Sequence, residues 1–552
     1  MRNWKLNFVF FLFLAIAAAI IVRLADLQIK NGSLYEAMAS GQHLSVIVPS
    51  VKRGGIFLEN TEICLAQNQT KTFLFISSKK ILPSELNQII EPLSVFLSLT
   101  KDDLLEKIQE VNLFKQEVAP EQAESLRNYL KQQNLTNVWL EDISARFYPY
   151  NDFASQLLGF VNTEGIGQYG LESYYNDDLS GSEKFTATEY GAEINKQGDD
   201  IFLTIDYNLQ YFAEKLLKEA KEQWNIDSGQ IVVEEPSSGR IFALANFPGF
   251  NNNRYGEEKN LNVFVNSVTQ KFFEPGSVFK PIVMAAGLEE KIITPETKYI
   301  DEGFVNVGGK DIFNFGKRIW GEQTMIDVLE ESINTGAVFV EQQLGSSVFW
   351  RYIKSFGFLE KTNIDLPSEA ASANDGLKHG YPRDFATASF GLGIMITPLQ
   401  LIRAYGALAN NGQMMQPYIV EKIISDNGRI TTTQPKIVKQ VVSESTAANL
   451  TAMLISVVKN GAGRAVKIPG YYIAGKTGTA QVPIKNGGYS DTETIQSFIG
   501  YFPALNPKYL ILIKLDNPKG VDSSGHSAAV IFHDLAKYII DFKQKTAYEM
   551  EL

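Results

Sequence analysis

A serine and a lysine stand three positions apart in Glu274-Pro275-Gly276-Ser277-Val278-Phe279-Lys280, at the start of a largely apolar run over 281–288. If that run is a helix, positions i and i+3 share a face one turn apart, and Ser277 Oγ comes within reach of Lys280 Nζ. A serine hydroxyl is a weak nucleophile until a base takes its proton. A lysine can be that base when burial favours its neutral form. A helix N-terminus would add free N–H groups that favour developing negative charge. These are the parts of an acyl-transfer centre. The spacing alone does not single out Ser277, because Ser77/Lys80, Ser98/Lys101 and Ser456/Lys459 repeat it.

Two further motifs follow in order. Ser332-Ile333-Asn334 comes 55 positions after Ser277, inside an expected helical run over 325–343. Lys476-Thr477-Gly478-Thr479 comes 144 positions later, on an expected strand over 473–482. The set has the order of the acyl-serine signature shared by penicillin-binding proteins and serine β-lactamases. The residue types suit the chemistry. Ser277 would attack a carbonyl while Lys280 takes its proton. Ser332 would relay a proton toward the leaving amine, and the Asn334 amide can donate to and accept from a peptide backbone. Lys476 adds positive charge and Thr477 a hydroxyl for a substrate carboxylate, with Gly478 between them and Thr479. Backbone N–H groups of Ser277 and Thr479 would form an oxyanion hole, where one donor is typically worth about 3 kcal/mol. A literal Ser425-Asp426-Asn427 competes for the middle motif. It is followed by Gly428 between strand-like 418–424 and 429–433, which reads as a hairpin turn. Ser372-Ala373-Asn374 reads as a polar loop.

The elements that must hold these residues divide by composition. Residues 8–22 are uninterrupted apolar, and flanking leucines extend the stretch to 6–27, about the ~20 residues that span a bilayer. Arg2 and Lys5 precede it and no acid does, which places the 1–5 tail in the cytoplasm. A cleaved signal peptide is the rival reading. Leu44, Val46 and Val48 alternate as a strand would, and residues 82–135 read as helices starting near Pro83, Thr100 and Pro120. Residues 184–196 look polar and strand-like, and a domain boundary is expected near Gln197 to Asp200. Beyond it come a strand over 201–205 and Asp206 as the N-cap of a helix over 207–224. A hairpin over 230–245, late strands over 473–482, 494–501 and 509–515, and a helix over 528–542 follow. Strands early and late around a helical middle imply an α/β domain whose sheet is built from both ends of the segment.

Bulk properties narrow the function. Net charge −11 and an acidic pI of 5.2 argue against nucleic acid as the main partner. The single Cys64 allows no intrachain disulfide, and His43, His379, His526 and His533 leave little for a zinc site. No metal or cofactor is expected.

The chain resembles a class B penicillin-binding protein. The resemblance rests on the three motifs and on Arg53-Gly54-Gly55-Ile56, Arg146-Phe147-Tyr148-Pro149, Leu158-Gly159-Phe160, Gly170-Leu171-Glu172 and Leu203-Thr204-Ile205-Asp206. It extends to Ser389-Phe390-Gly391-Leu392-Gly393, Thr397-Pro398-Leu399-Gln400 and Ser497-Phe498-Ile499-Gly500-Tyr501. It departs at Phe57 to Thr61, which lack the family's acid, second arginine and turn glycine, and at Ala528 to Phe532, which lack a proline. The resemblance implies an α/β transpeptidase domain of serine β-lactamase-like fold at 199–552, with an antiparallel sheet between helical layers. It also implies an elongated α+β pedestal of the dimerisation type at 28–198 and a transmembrane anchor at 6–27. The implied activity is peptidoglycan D,D-transpeptidation outside the cytoplasmic membrane, in septal or side-wall synthesis. Stem peptides ending in D-Ala-D-Ala would be cross-linked through an acyl-serine that β-lactams also form. The implied partner is a polytopic membrane glycosyltransferase of the shape, elongation, division and sporulation type. Residues 30–200 show no glycosyltransferase signature of their own. A β-lactamase or β-lactam-sensing domain, and a non-catalytic scaffold of the wall-synthesis complex, are the alternatives.

Overall fold

The computed structural model describes residues 52–59, 63–133, 137–181, 197–372, 374–378, 380–484 and 488–550, without the side chains of 491 and 543–550. The expected anchor at 6–27, the alternation at 44–48 and the strand-like 184–196 lie outside the described residues. Among the described residues, no helix is long and apolar enough to cross a membrane.

Five antiparallel strands form the sheet that carries the Lys476 motif. Their order is Ala474–Pro483, Tyr489–Phe502, Tyr509–Asp516, Ser228–Glu235 and Arg240–Phe247. As expected, it is assembled from both ends of the domain. Its central strands are apolar on both faces, and alternate residues enter different cores. Ile231, Val233, Ile511 and Ile513 join a cluster with the helices Tyr207–Trp224 and Ala528–Met550. Val232, Leu510 and Leu512 point to the opposite layer, with Lys280–Glu289, Pro398–Ala409 and Glu444–Lys459. Asp206 caps the first of these helices as expected. Its Oδ1 accepts from the N–H groups of Asn208 and Leu209 at 2.9 and 3.1 Å.

Two expectations need correction. The run over 325–343 is not one helix. It is Met325–Glu330 followed by Asn334–Leu344, and Ser332 stands between them at φ 58°. Val328, Leu329, Ile333, Ala337 and Val338 are all buried, so the apolar spacing continues across the break and conceals it. Within 82–135, Pro83–Phe96, Lys101–Gln109 and Pro120–Gln133 are helical, but Leu113–Val118 is a strand. It buries Phe114 and Val118 and is too short and polar for its pattern to stand out among helices.

That strand belongs to a second sheet, in the order Ile430–Thr432, Val420–Ile424, Asp200–Leu203, Ile56–Leu58, Cys64–Ser77 and Leu113–Val118. Val138–Phe147 also pairs with Cys64–Ser77. Strands from both sides of residue 198 therefore share one hydrogen-bonded layer.

Candidate active site

Ser277 sits in a single 3-10 turn, Gly276–Phe279, which runs directly into the helix Lys280–Glu289. The turn is fixed from several directions. Gly276, at φ 61°, donates its N–H to the Gly391 carbonyl at 3.0 Å, and Tyr405 Oη donates to the Val278 carbonyl at 2.6 Å. A Cβ on Gly276 would lie 3.0 Å from Ala480 Cβ, so the turn packs directly on the strand that carries the Lys476 motif.

From this turn an unbroken polar chain runs through the site. Lys280 Nζ lies 3.1 Å from Ser277 Oγ and 3.2 Å from Ser332 Oγ, and it donates to the Ser332 carbonyl as well. Lys476 Nζ lies 2.9 Å from the same Ser332 Oγ, and also donates to the Thr477 carbonyl at 3.2 Å and Oγ1 at 3.3 Å. Both lysines are 0% exposed. Burial lowers the Lys280 pKa well below the usual lysine value, and the neighbouring Lys476 adds to the shift. Burial lowers Lys476 to about 7. In the other three Ser-x-x-Lys matches, Lys80, Lys101 and Lys459 are all exposed. Burial separates the matches where spacing could not.

Asn334 opens its helix beside Ser332, and its Nδ2 donates to the Phe313 carbonyl at 3.1 Å. The strand Ala474–Pro483 is the edge of its sheet, so backbone groups on its outer side are free of sheet pairing. Thr477 is buried and Thr479 half-buried on that strand. A Cβ on Gly478 would lie 2.6 Å from Ser497 Oγ and 2.8 Å from Val278 Cγ1, so a side chain here would push against both neighbours. Ser425 to Gly428 form the expected hairpin turn between Val420–Ile424 and Ile430–Thr432, away from the lysines.

Sequence reasoning missed two serines at the Lys-Thr-Gly strand. Ser497 pairs with Gly478 across the sheet, and its buried hydroxyl has no hydrogen-bond partner among the described residues. Strand register could have revealed it. Ser524 shares a hydrogen bond with Thr479, with Oγ–Oγ at 3.1 Å, and its N–H donates to Thr479 Oγ1 at 3.2 Å. It opens a three-residue 3-10 turn, Ser524–His526, too short to leave a periodic signal. His526 and His533 form surface pairs with Asp522 and Asp534.

Known proteins share this organisation. The penicillin-binding protein transpeptidase domain matches residues 229–537, and the penicillin-binding protein dimerisation domain matches residues 49–200. Stage V sporulation protein D of Bacillus subtilis is 31% identical, over 95% of this chain and 83% of its own length. The peptidoglycan D,D-transpeptidase FtsI homolog of Mesostigma viride is 29% identical, over 95% of this chain and 93% of its own. Penicillin binding protein 3 of Mycobacterium tuberculosis, solved in complex with aztreonam, superposes with a TM-score of 0.71 at 25% identity. That match covers 90% of this chain and 97% of the other.

Proposed function

The chain belongs to the class B penicillin-binding proteins, and we infer that it is a peptidoglycan D,D-transpeptidase working through an acyl-Ser277 intermediate. The observation that carries the site assignment is the Ser277–Lys280–Ser332–Lys476 chain with both amines withdrawn from water.

Neutral Lys280 takes the Ser277 proton as Oγ bonds to the penultimate D-Ala carbonyl carbon. Collapse of the tetrahedral intermediate breaks the C–N bond, and Ser332 relays the proton held by Lys280 to the departing D-Ala amine, which leaves Lys280 neutral and Ser332 a hydroxyl again. An amine from a second stem peptide then attacks the ester, and the proton it loses returns to Ser277 Oγ. Lys476 and Thr477 hold the terminal carboxylate, and Asn334 the stem-peptide backbone. The N–H groups of Ser277 and Thr479 serve the oxyanion. The packing of the Ser277 turn on this edge strand supports that pairing.

Labelling with a fluorescent penicillin tests the nucleophile. The expected result is a stable adduct with the wild type and none with Ser277→Ala. A label that survives in Ser277→Ala refutes the assignment, and a label shed within minutes points to hydrolysis instead.

The remaining assignments concern the setting of this site. Residues 28–198 serve as the pedestal and 199–552 as the catalytic domain, a division supported by the dimerisation match ending at 200. Residues 6–27 anchor the protein in the cytoplasmic membrane with residues 1–5 inside, on the strength of their apolar run and flanking charges. Deleting 1–27 should release the protein from the membrane fraction. The polytopic glycosyltransferase is the expected membrane partner, to be sought by co-purification with the full-length chain.

A further inference from the structure

Behind the Ser332–Asn334 turn lies a buried pair of side chains to which acyl transfer assigns no role. Asp301 ends the strand Lys298–Asp301, and Asn314 follows the hairpin of Phe304–Val307 and Lys310–Phe313. They are 1% and 5% exposed. Asn314 Nδ2 donates to both Asp301 oxygens at 2.9 Å and to the Arg318 carbonyl at 3.1 Å. With its amide NH2 so committed, Asn314 presents Oδ1 to the other side. There it accepts from the backbone N–H of Asn334 at 3.0 Å and of Thr335 at 3.1 Å. Asp301 itself takes the Thr335 hydroxyl at 2.6 Å and the N–H groups of Gly303 and Trp320 at 3.0 and 2.8 Å.

The helix Asn334–Leu344 needs such a partner. Its N-cap residue is Ile333, which has no side-chain oxygen to satisfy the first-turn N–H groups. Asn314 supplies that oxygen from 20 positions upstream. The residue before the cap, Ser332, holds a left-handed φ of 58° that an L-residue adopts only when its surroundings enforce it. The same hairpin also accepts the Asn334 side-chain amide at the Phe313 carbonyl.

We propose that Asp301 and Asn314 are positioning residues for acylation, a clamp that sets Ser332 and Asn334 in their working orientation. The proposal rests on the assignment of Ser332 and Asn334 to acylation. In the full-length chain, Asn314→Ala is expected to slow acylation by a fluorescent penicillin roughly 10- to 100-fold, the scale at which small displacements of reacting groups are felt. Asn314→Asp keeps an acceptor for Asn334 and Thr335 but sets one carboxylate against another. It should lose as much. Adding Asp301→Asn removes the carboxylate repulsion but turns an amide NH2 toward the N–H of Gly303 or Trp320, so the double variant should acylate faster than Asn314→Asp and slower than wild type, a coupling that separate structural defects would not show.

Wild-type acylation in folded Asn314→Ala, or a double variant no faster than Asn314→Asp, overturns the clamp. If Asn314→Ala fails to fold, the comparison of the single and double aspartate variants decides. Ser332→Ala and Asn334→Ala run alongside. If both acylate at the wild-type rate, the site assignment itself falls. If they are slow while the Asn314 variants are fast, the clamp alone falls.

Discussion

Lys280 has three polar neighbours, and a neutral amine has two N–H groups and one lone pair. The two N–H groups match the carbonyl and hydroxyl of Ser332, which leaves the lone pair for the Ser277 proton. Lys280→Met keeps most of the volume and removes the base. Acylation should fall by roughly 100- to 10,000-fold, the range for loss of a general base. Thermal unfolding should show no loss of stability. A lysine with a lowered folded pKa binds fewer protons folded than unfolded, so at neutral pH it costs stability, and stability rises as pH climbs toward the ordinary lysine value. A variant that acylates normally would exclude Lys280 as base. The two lysines also predict a bell-shaped rate profile. Acid protonates Lys280 and removes the base, while Lys476 loses its charge as pH rises through about 7 in the free enzyme. The alkaline limb should therefore appear with a β-lactam carboxylate and vanish with its methyl ester. None of this was legible in the Ser277/Lys280 spacing. Burial of a lysine side chain depends on what folds over it, here Ser332 and the Lys476 strand, 52 and 196 positions away.

The turn holding Ser277 is shaped by a glycine distant in sequence. Gly391 has φ 83°, and a Cβ there would lie 2.2 Å from the Gly276 carbonyl oxygen. Gly428 has nearly the same φ, 80°, but a Cβ there meets nothing within 4 Å. The pair separates backbone strain from steric displacement. Gly428→Ala should cost only about 1–2 kcal/mol for the left-handed conformation and leave acylation intact. Gly391→Ala adds the clash, so it should lower the unfolding midpoint further and slow acylation by moving the nucleophile. Equal effects on acylation would contradict this account of the turn. At this scale much was readable beforehand. The Asp206 cap, the 230–245 hairpin and the three late strands follow from local patterns. The break at Ser332 and the strand Leu113–Val118 do not. One left-handed residue leaves the apolar period unchanged, and a six-residue strand becomes a strand by pairing with Cys64–Ser77. Asn314 capping a helix 20 positions away is likewise invisible to any rule that looks for the cap next to its helix.

Across the whole molecule, the sheet joining Ile56–Leu58, Asp200–Leu203 and Val420–Ile424 is where a strand of the segment matched by the dimerisation domain shares a layer with a strand of the segment matched by the transpeptidase domain. Three of the short motifs that carry the family resemblance, far apart in the sequence, converge beside it. Glu172 is fully buried between Arg53 and Arg146, each bonded through Nε at 2.6 Å, and the Tyr148 hydroxyl donates to it at 3.2 Å. Arg146 also donates to the Gly54 carbonyl at 2.7 Å, which ties the cluster to the chain leading into Ile56–Leu58. Burial pushes the Glu172 pKa up, but the two guanidinium groups outweigh it and hold the carboxyl below its usual range. Glu172→Gln keeps the shape and strands two buried cations. Removing one partner from a buried ion cluster costs about 3–5 kcal/mol, far more than a surface pair would. The urea midpoint should drop accordingly, and an unchanged midpoint would show that the cluster does not hold this joint together. Acid provides an independent check. A depressed folded pKa gives stability that is complete above the unfolded carboxyl value and is lost as pH falls through the folded one. The wild type should therefore lose stability steeply below about pH 4.3, the ordinary glutamate value. Glu172→Gln, already without that charge, should show a shallower acid slope. Parallel slopes in the two proteins would mean that other carboxylates set the acid limit.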